Sequence, residues 1–214
     1  MKLTKQKLKS LEPCPEGYEW YLKQNTNDLF ELVDLLIKEE HYKWCGWIIT
    51  KFLNKKQYIQ YAVNSVERVL YFYEKEYPKD NRLRKAIEVA KEYLKDSNLI
   101  NEDIFIRVSD AADDAYCDVS DASCAAYFAA DNATYDVKAA ATYVARAVCH
   151  VTYVVRAVYH ANYVARAVYD ATYVADYAVI ATVNNALNAA NADKNSKSLK
   201  TEIVKYGIKL LKEK

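Results

Sequence analysis

Three basic side chains, Arg82, Arg84 and Lys85, follow the stretch Tyr77-Pro78-Lys79-Asp80-Asn81 and fall in the predicted first turn of a helix. The helix dipole disfavours positive charge at that end. Free backbone N–H groups point the same way, so such a turn invites an anion: a partner's carboxylate or a phosphate. The plainer alternative is an internal ion pair with Glu67, Glu74 or Glu76. Trp44 and Trp47, with Trp20, Tyr18, Tyr21 and Tyr42, form a second set. They read as core, or as an exposed patch that anchors a partner. His150, His160 and Cys149 are metal-ligating types, but their spacing misses one helix face and the acidic residues are scattered, so no metal is expected. Asp110, Asp113, Asp114, Asp118 and Asp121 lie at helical spacing and read as a solvated face; the alternative is an acidic surface that mimics nucleic acid or meets a basic partner. There is no glycine-rich phosphate loop, nucleophile elbow or Cys-x-x-Cys pair. Neither an enzyme nor a cofactor is expected, and no residue is assigned a catalytic role.

The elements that hold these residues follow from periodicity. Residues 1–27 read as a basic lead-in with a turn at Pro13–Gly17, followed by Tyr18–Leu22. Asp28, with Glu31 three places on, resembles a capping box and opens a helix carrying Leu29, Leu32 and Leu36 on one face. Trp44, Trp47, Ile48 and Phe52 are expected to point inward from the next segment. Tyr58–Tyr77 reads as one amphipathic helix with Ile59, Ala62, Val63, Val66, Leu70, Tyr73 and Tyr77 on its apolar face. Pro78 ends it, Asp80 or Asn81 caps the next helix, and Leu199–Leu211 forms a short basic closing helix.

Between Ser109 and about Ala192 the chain is built almost wholly of Ala, Tyr, Val, Asp and Asn, and a ten-residue unit recurs. Tyr143, Tyr153 and Tyr163 are spaced by tens, as are Arg146, Arg156 and Arg166; together they form a candidate repeat surface. On a straight α-helix ten residues leave each copy about 80° behind the last, so the arginines spread rather than form a stripe. Within a copy the helix reading works: Arg146 precedes His150 by four residues, Arg156 precedes His160 and Arg166 precedes Asp170. Ala content favours it too, as does the apolar path Val144, Val148, Val151, Val155 and Val158. The rival is a β-solenoid with two five-residue sides per copy, favoured by Val and Tyr. Against the solenoid, no Gly or Pro marks a corner. Helix breaks are expected near Asn132, Asn162 and Asn184–Asn185.

A length of 214 residues allows one large domain or two small ones, and three Gly with three Pro disfavour an all-β chain. The fold class is therefore all-α: an N-terminal helical module (1–100), long antiparallel Ala/Tyr-rich helices (101–192) and a basic C-terminal helix (193–214). The net charge of +1 hides segment values of +2 for residues 1–108, −5 for 109–192 and +4 for 193–214. None is the basic footprint of a general nucleic-acid binder. No stretch of about 20 uncharged apolar residues exists, so no membrane span is expected. No apolar run follows Lys2, Lys5, Lys7 and Lys9, so the lead-in does not read as a signal peptide.

Trp44-Cys45-Gly46-Trp47-Ile48-Ile49, Tyr61-Ala62-Val63 and Val66-Glu67-Arg68-Val69-Leu70 carry a resemblance. So, above all, does Tyr77-Pro78-Lys79-Asp80-Asn81-Arg82-Leu83-Arg84-Lys85-Ala86-Ile87-Glu88. They are similar to a family of helical proteins of bacteria and phages described as putative immunity proteins. Pro13-Cys14-x-x-Gly17-x-x-Trp20 also resembles phage-borne members. Leu83 stands where members usually have Pro. The resemblance covers about residues 11–95 by motif and 109–192 by composition. It implies an all-α fold and a non-enzymatic, protein-directed role, with a toxin or defence protein as the partner. The alternatives are a small anionic ligand or nucleotide held by the Arg82/Arg84 turn and stacked on tyrosines, or a repeat that forms a homo-oligomer. Five cysteines (14, 45, 117, 124 and 149), an odd number without framework spacing, read as reduced thiols of a cytoplasmic chain. Titration of freshly purified, unfolded protein should count five free thiols; two or more missing would contradict that reading.

Overall fold

The computed structural model describes residues 1–95, 110–111, 114–115, 117–119, 152–158, 160–161 and 175–213. Its helices are α1 (Lys5–Ser10), α2 (Pro15–Leu22), α3 (Leu29–Lys38), α4 (Tyr42–Thr50), α5 (Lys55–Glu67), α6 (Leu70–Glu76), α7 (Arg82–Lys95), α8 (Ala175–Ala189) and α9 (Ser196–Lys212), with a 3-10 turn at Ala190–Ala192. Among the described residues there is no strand, only an isolated bridge between Lys2 and Asp28. Residues 152–158 are helical, so the described part of the ten-residue repeat is helix and the β-solenoid alternative is not supported. Tyr143, Tyr163, Arg146 and Arg166 lie outside the described residues, as do the breaks expected at Asn132 and Asn162.

Local chemistry sets the helix ends. The Asp28 carboxylate accepts from the backbone N–H groups of Phe30 and Glu31, which caps α3; Glu31 itself takes the Thr26 hydroxyl. Asn54 and Gln57 form a full capping box at the head of α5. The same Gln57 donates from Nε2 to the Leu210 carbonyl at 2.5 Å, tying the end of α9 to the start of α5. Three buried hydroxyls are satisfied within their own helices: Thr50 donates to the Gly46 carbonyl, Ser65 to Tyr61 and Thr182 to Ala178.

Three elements differ from the sequence expectation. The lead-in is not a basic coil with a turn but two short helices, α1 capped by Thr4 and α2 opened by Pro15 at its first position. The single helix expected over Tyr58–Tyr77 is two, broken at Arg68–Val69, where the Val69 N–H turns to the Val66 carbonyl three residues back. Periodicity missed this break because both halves keep their apolar faces on one core: Ile59, Ala62, Val63, Val66, Leu70 and Tyr73 are all buried. Asn184–Asn185 does not break α8; the Asn185 side chain donates to the Ala181 carbonyl and rides along the helix.

The core is continuous across these elements. α5 packs against α7, α8 and α9, and α4 packs against α3, α8 and α9. Val154, Val155, Val158 and Ala161 of the repeat are buried in the same cluster, as are Ala115 and Val119. Two of the three glycines sit where helices cross. A Cβ on Gly46 would stand 2.9 Å from Val183 Cγ1 of α8. One on Gly207 would stand 2.8 Å from both Ile49 Cγ2 and Tyr61 Cζ. Helix propensity alone would make Gly207→Ala stabilising by about 1 kcal/mol, whereas overpacking a fixed core costs about 1–3 kcal/mol. Gly207→Ala should therefore lower the urea midpoint, with a net loss of up to about 2 kcal/mol; a raised midpoint would contradict the crossing.

Candidate functional site

Two places gather the candidate residues. At the first, Pro78 halts α6 and the chain reverses into α7, whose first hydrogen bond runs from the Lys85 N–H to the Asn81 carbonyl. Asp80 organises the reversal. Its Oδ1 accepts from the Arg82 backbone N–H at 2.9 Å, and the Arg82 guanidinium grips both carboxylate oxygens through Nε (3.1 and 2.9 Å) and Nη2 (2.6 Å to Oδ2). The Tyr73 hydroxyl donates to Oδ2 at 2.7 Å. These donors, the Arg82 side chain foremost, hold the Asp80 carboxyl at about 2, well below its ordinary value. The same bond pushes the Arg82 guanidinium up, while burial, and then the Asp80 contact, pushes the Tyr73 hydroxyl up.

Arg82 also reaches Asp118 Oδ2 at 2.8 Å, linking the turn to the acidic stretch, in which Asp110, Asp114 and Asp118 are exposed. Arg84 meets Glu74 Oε1 through Nε at 2.7 Å and Nη2 at 2.6 Å. Glu67, expected beside these arginines, pairs instead with Lys91 one helix over. Lys85 is exposed. Both guanidiniums of the turn are thus occupied by the chain's own carboxylates.

The second place is aromatic. Trp44 and Trp47 are half-buried on α4 rather than fully inward, and Trp20 of α2 joins them. The Trp20 and Trp44 rings are 6.5 Å apart at 59°, and His41 stacks on Trp44 at 4.2 Å. They wall an apolar cavity of about 250 Å³, completed by α1, α3 and, from α8, Ile180 and Asn184. Gly17 leaves its floor open: a Cβ there would lie 3.1 Å from Cys14 Sγ and 3.8 Å from the Trp44 ring. Beside it, a more polar hollow of about 400 Å³ lies between the head of α4, the end of α8 and Lys200 of α9. The corner between α3 and α4 is a Schellman turn with Glu40 at φ 63°, a left-handed position that usually falls to Gly.

On the repeat, Tyr153 packs half-buried against the core and Arg156 is exposed. The His160 pKa is lowered by burial and then by the positive charge of Arg156, four residues earlier. Cys149 and His150 lie outside the described residues. Among the described residues no three His, Cys, Asp or Glu side chains converge as metal ligands, and no helix is long and apolar enough to cross a membrane. Cys14, Cys45 and Cys117 are free thiols. Sequence reasoning missed Asp118 and Ile180 as site neighbours, since nothing local marks contacts 36 or more residues away; the Tyr73–Asp80 bond was readable, because it joins the ends of one reversal.

Residues 49–102, about a quarter of the chain, match the model of the Imm-5 like putative immunity protein family. That stretch contains α5, α6 and α7, and with them the Asp80–Arg82 and Glu74–Arg84 pairs. No curated protein and no solved structure matches the chain.

The depressed Asp80 carboxyl carries a pH signature. A group whose folded value lies below its unfolded one stabilises the fold above the unfolded value and loses that contribution as pH falls through the folded value. Stability should therefore decline between about pH 4 and about pH 2. Asp80→Asn should remove that part of the acid slope and cost about 1–2 kcal/mol at neutral pH. An unchanged slope by urea unfolding at stepped pH would contradict the assignment.

Proposed function

We propose that the chain is a non-enzymatic protein-binding protein of the immunity type, which neutralises another protein by occupying its surface. The observation that carries this reading is the family match over residues 49–102. The geometry is compatible with a binder. The charged turn is filled by internal carboxylates, while an aromatic cavity on α2 and α4 stays open to an incoming group. A small anionic ligand at the Arg82/Arg84 turn has less support, because it would have to displace Asp80 or Glu74 from bonds of 2.6–2.9 Å. The free thiols suit a reducing compartment such as the cytoplasm, where the partner would be met.

The test has two steps. Tagged protein is used to capture stoichiometric partners from the native host, and each partner is then expressed in a tolerant cell alone and together with this chain. Growth arrest by the partner alone, relieved by co-expression, is the expected outcome. A captured partner that is harmless, or whose toxicity co-expression leaves unchanged, would contradict the proposal.

A further inference from the structure

Two depressions meet at the head of α4, one built with α1, α2 and α3 and the other with α8 and α9, and their chemistry differs. The cavity of about 250 Å³ is walled almost wholly by carbon, and two of its aromatic side chains have their polar ends committed elsewhere. Trp20 Nε1 donates to Glu39 at 2.7 Å, and the Tyr21 hydroxyl donates to the Leu3 carbonyl at 2.5 Å. Its size exceeds the roughly 150 Å³ of an engineered cavity that admits benzene and falls short of the roughly 300 Å³ at which drug-sized pockets begin. One aromatic ring is the natural occupant.

The adjoining hollow of about 400 Å³ is mixed, more polar than the cavity, and Lys43 and Trp44 belong to both. The carboxylates nearby are already engaged: Glu40 with Lys197 at 2.8 Å and Glu39 with the Trp20 indole. Among the described residues Lys43 and Lys200 make no ion pair within 4 Å; Lys200 lies 5.6 Å from the Tyr42 ring centre and its charge, after the Lys197 bond, helps to lower the Glu40 pKa. Three lysines, Lys43, Lys197 and Lys200, thus face two carboxylates, Glu39 and Glu40, and leave an excess of positive charge on the ridge beside the apolar cavity.

We propose that this double hollow is where the chain receives its partner protein. The cavity takes one aromatic side chain from an acidic segment of the partner, and the carboxylates flanking that side chain meet Lys43 and Lys200. The proposal rests on the immunity-type reading and names its docking place. An extended segment advances about 3.3–3.6 Å per residue, so a few residues reach from the cavity across the ridge into the more polar hollow. A buried aromatic anchor ringed by charge is the usual form of an interface hot spot, and charge complementarity fixes which segments are accepted.

The test uses the whole chain, with its indole groups labelled by ¹⁵N, and two synthetic peptides, Asp-Glu-Phe-Glu-Asp and Asp-Glu-Ala-Glu-Asp. The Phe peptide should shift the Trp44 and Trp47 indole signals and bind at least about tenfold tighter than the Ala peptide. Lys43→Glu, at an exposed position, should keep the wild-type melting temperature and weaken the Phe peptide roughly tenfold. Ile180→Trp should fill the cavity and abolish the advantage of Phe over Ala. Equal affinity for the two peptides, or wild-type affinity in Lys43→Glu, overturns the proposal. So does phenylacetate binding as tightly as the Phe peptide, since a small aromatic acid would then be the occupant. If the peptides fail while a captured partner is still neutralised, the docking place falls and the immunity-type reading stands. If the Phe peptide binds as expected but no partner is neutralised, that reading falls instead.

Discussion

Tyr61 lies where α4, α5 and α9 meet, with its ring fully buried and its hydroxyl without a hydrogen-bond partner among the described residues. An orphaned buried hydroxyl costs about 1–3 kcal/mol, and burial drives its proton affinity far above the ordinary phenol value. The ring is retained because it fills the space left where Gly207 brings α9 close to Ile49 and α5. Everything in the C-terminal part of the described chain depends on that crossing. It seats α9 against α4 and α5, which places Lys197 at Glu40 and Lys200 over Tyr42. The matching approach of Gly46 to Val183 seats α8 on α4 and brings Ile180 to the tryptophans.

The charged residues divide into two groups with different physical roles. Around the α6–α7 reversal, Tyr73, Asp80, Arg82 and Asp118 form a linked set, with Glu74–Arg84 and Glu67–Lys91 beside it. Each basic group is matched to an acidic one, so the set resists the unfavourable helix-dipole term at the head of α7 and holds the reversal closed. On the α4–α9 side the matching is incomplete, and the excess is positive.

Much of this architecture was legible in the residues. Asp28 capping α3, the buried face from Ile59 to Tyr73, the stop at Pro78 and the Glu74–Arg84 pair all follow from local spacing, because each joins positions within a turn or a single reversal. The helical character of the repeat was legible in the same way at 152–158. What was not legible depends on distant packing. The break at Arg68–Val69 leaves the apolar face intact and so leaves no trace in periodicity. Arg82 was expected to seek Glu67, Glu74 or Glu76, but Asp80, two residues away, is already held by Tyr73 and takes it first. The cavity needs Ile180 of α8 against Trp44 of α4, a juxtaposition fixed by the glycine crossings rather than by any motif.

The central claim is that the α6–α7 turn serves the fold while the double hollow at the head of α4 meets the partner. Hydrogen–deuterium exchange, measured on the chain alone and with a neutralised partner bound, tests it most directly. The account predicts added protection in α2, in α4 and around residues 187–200, with residues 77–88 exchanging equally in both states. Added protection confined to residues 77–88 would contradict it.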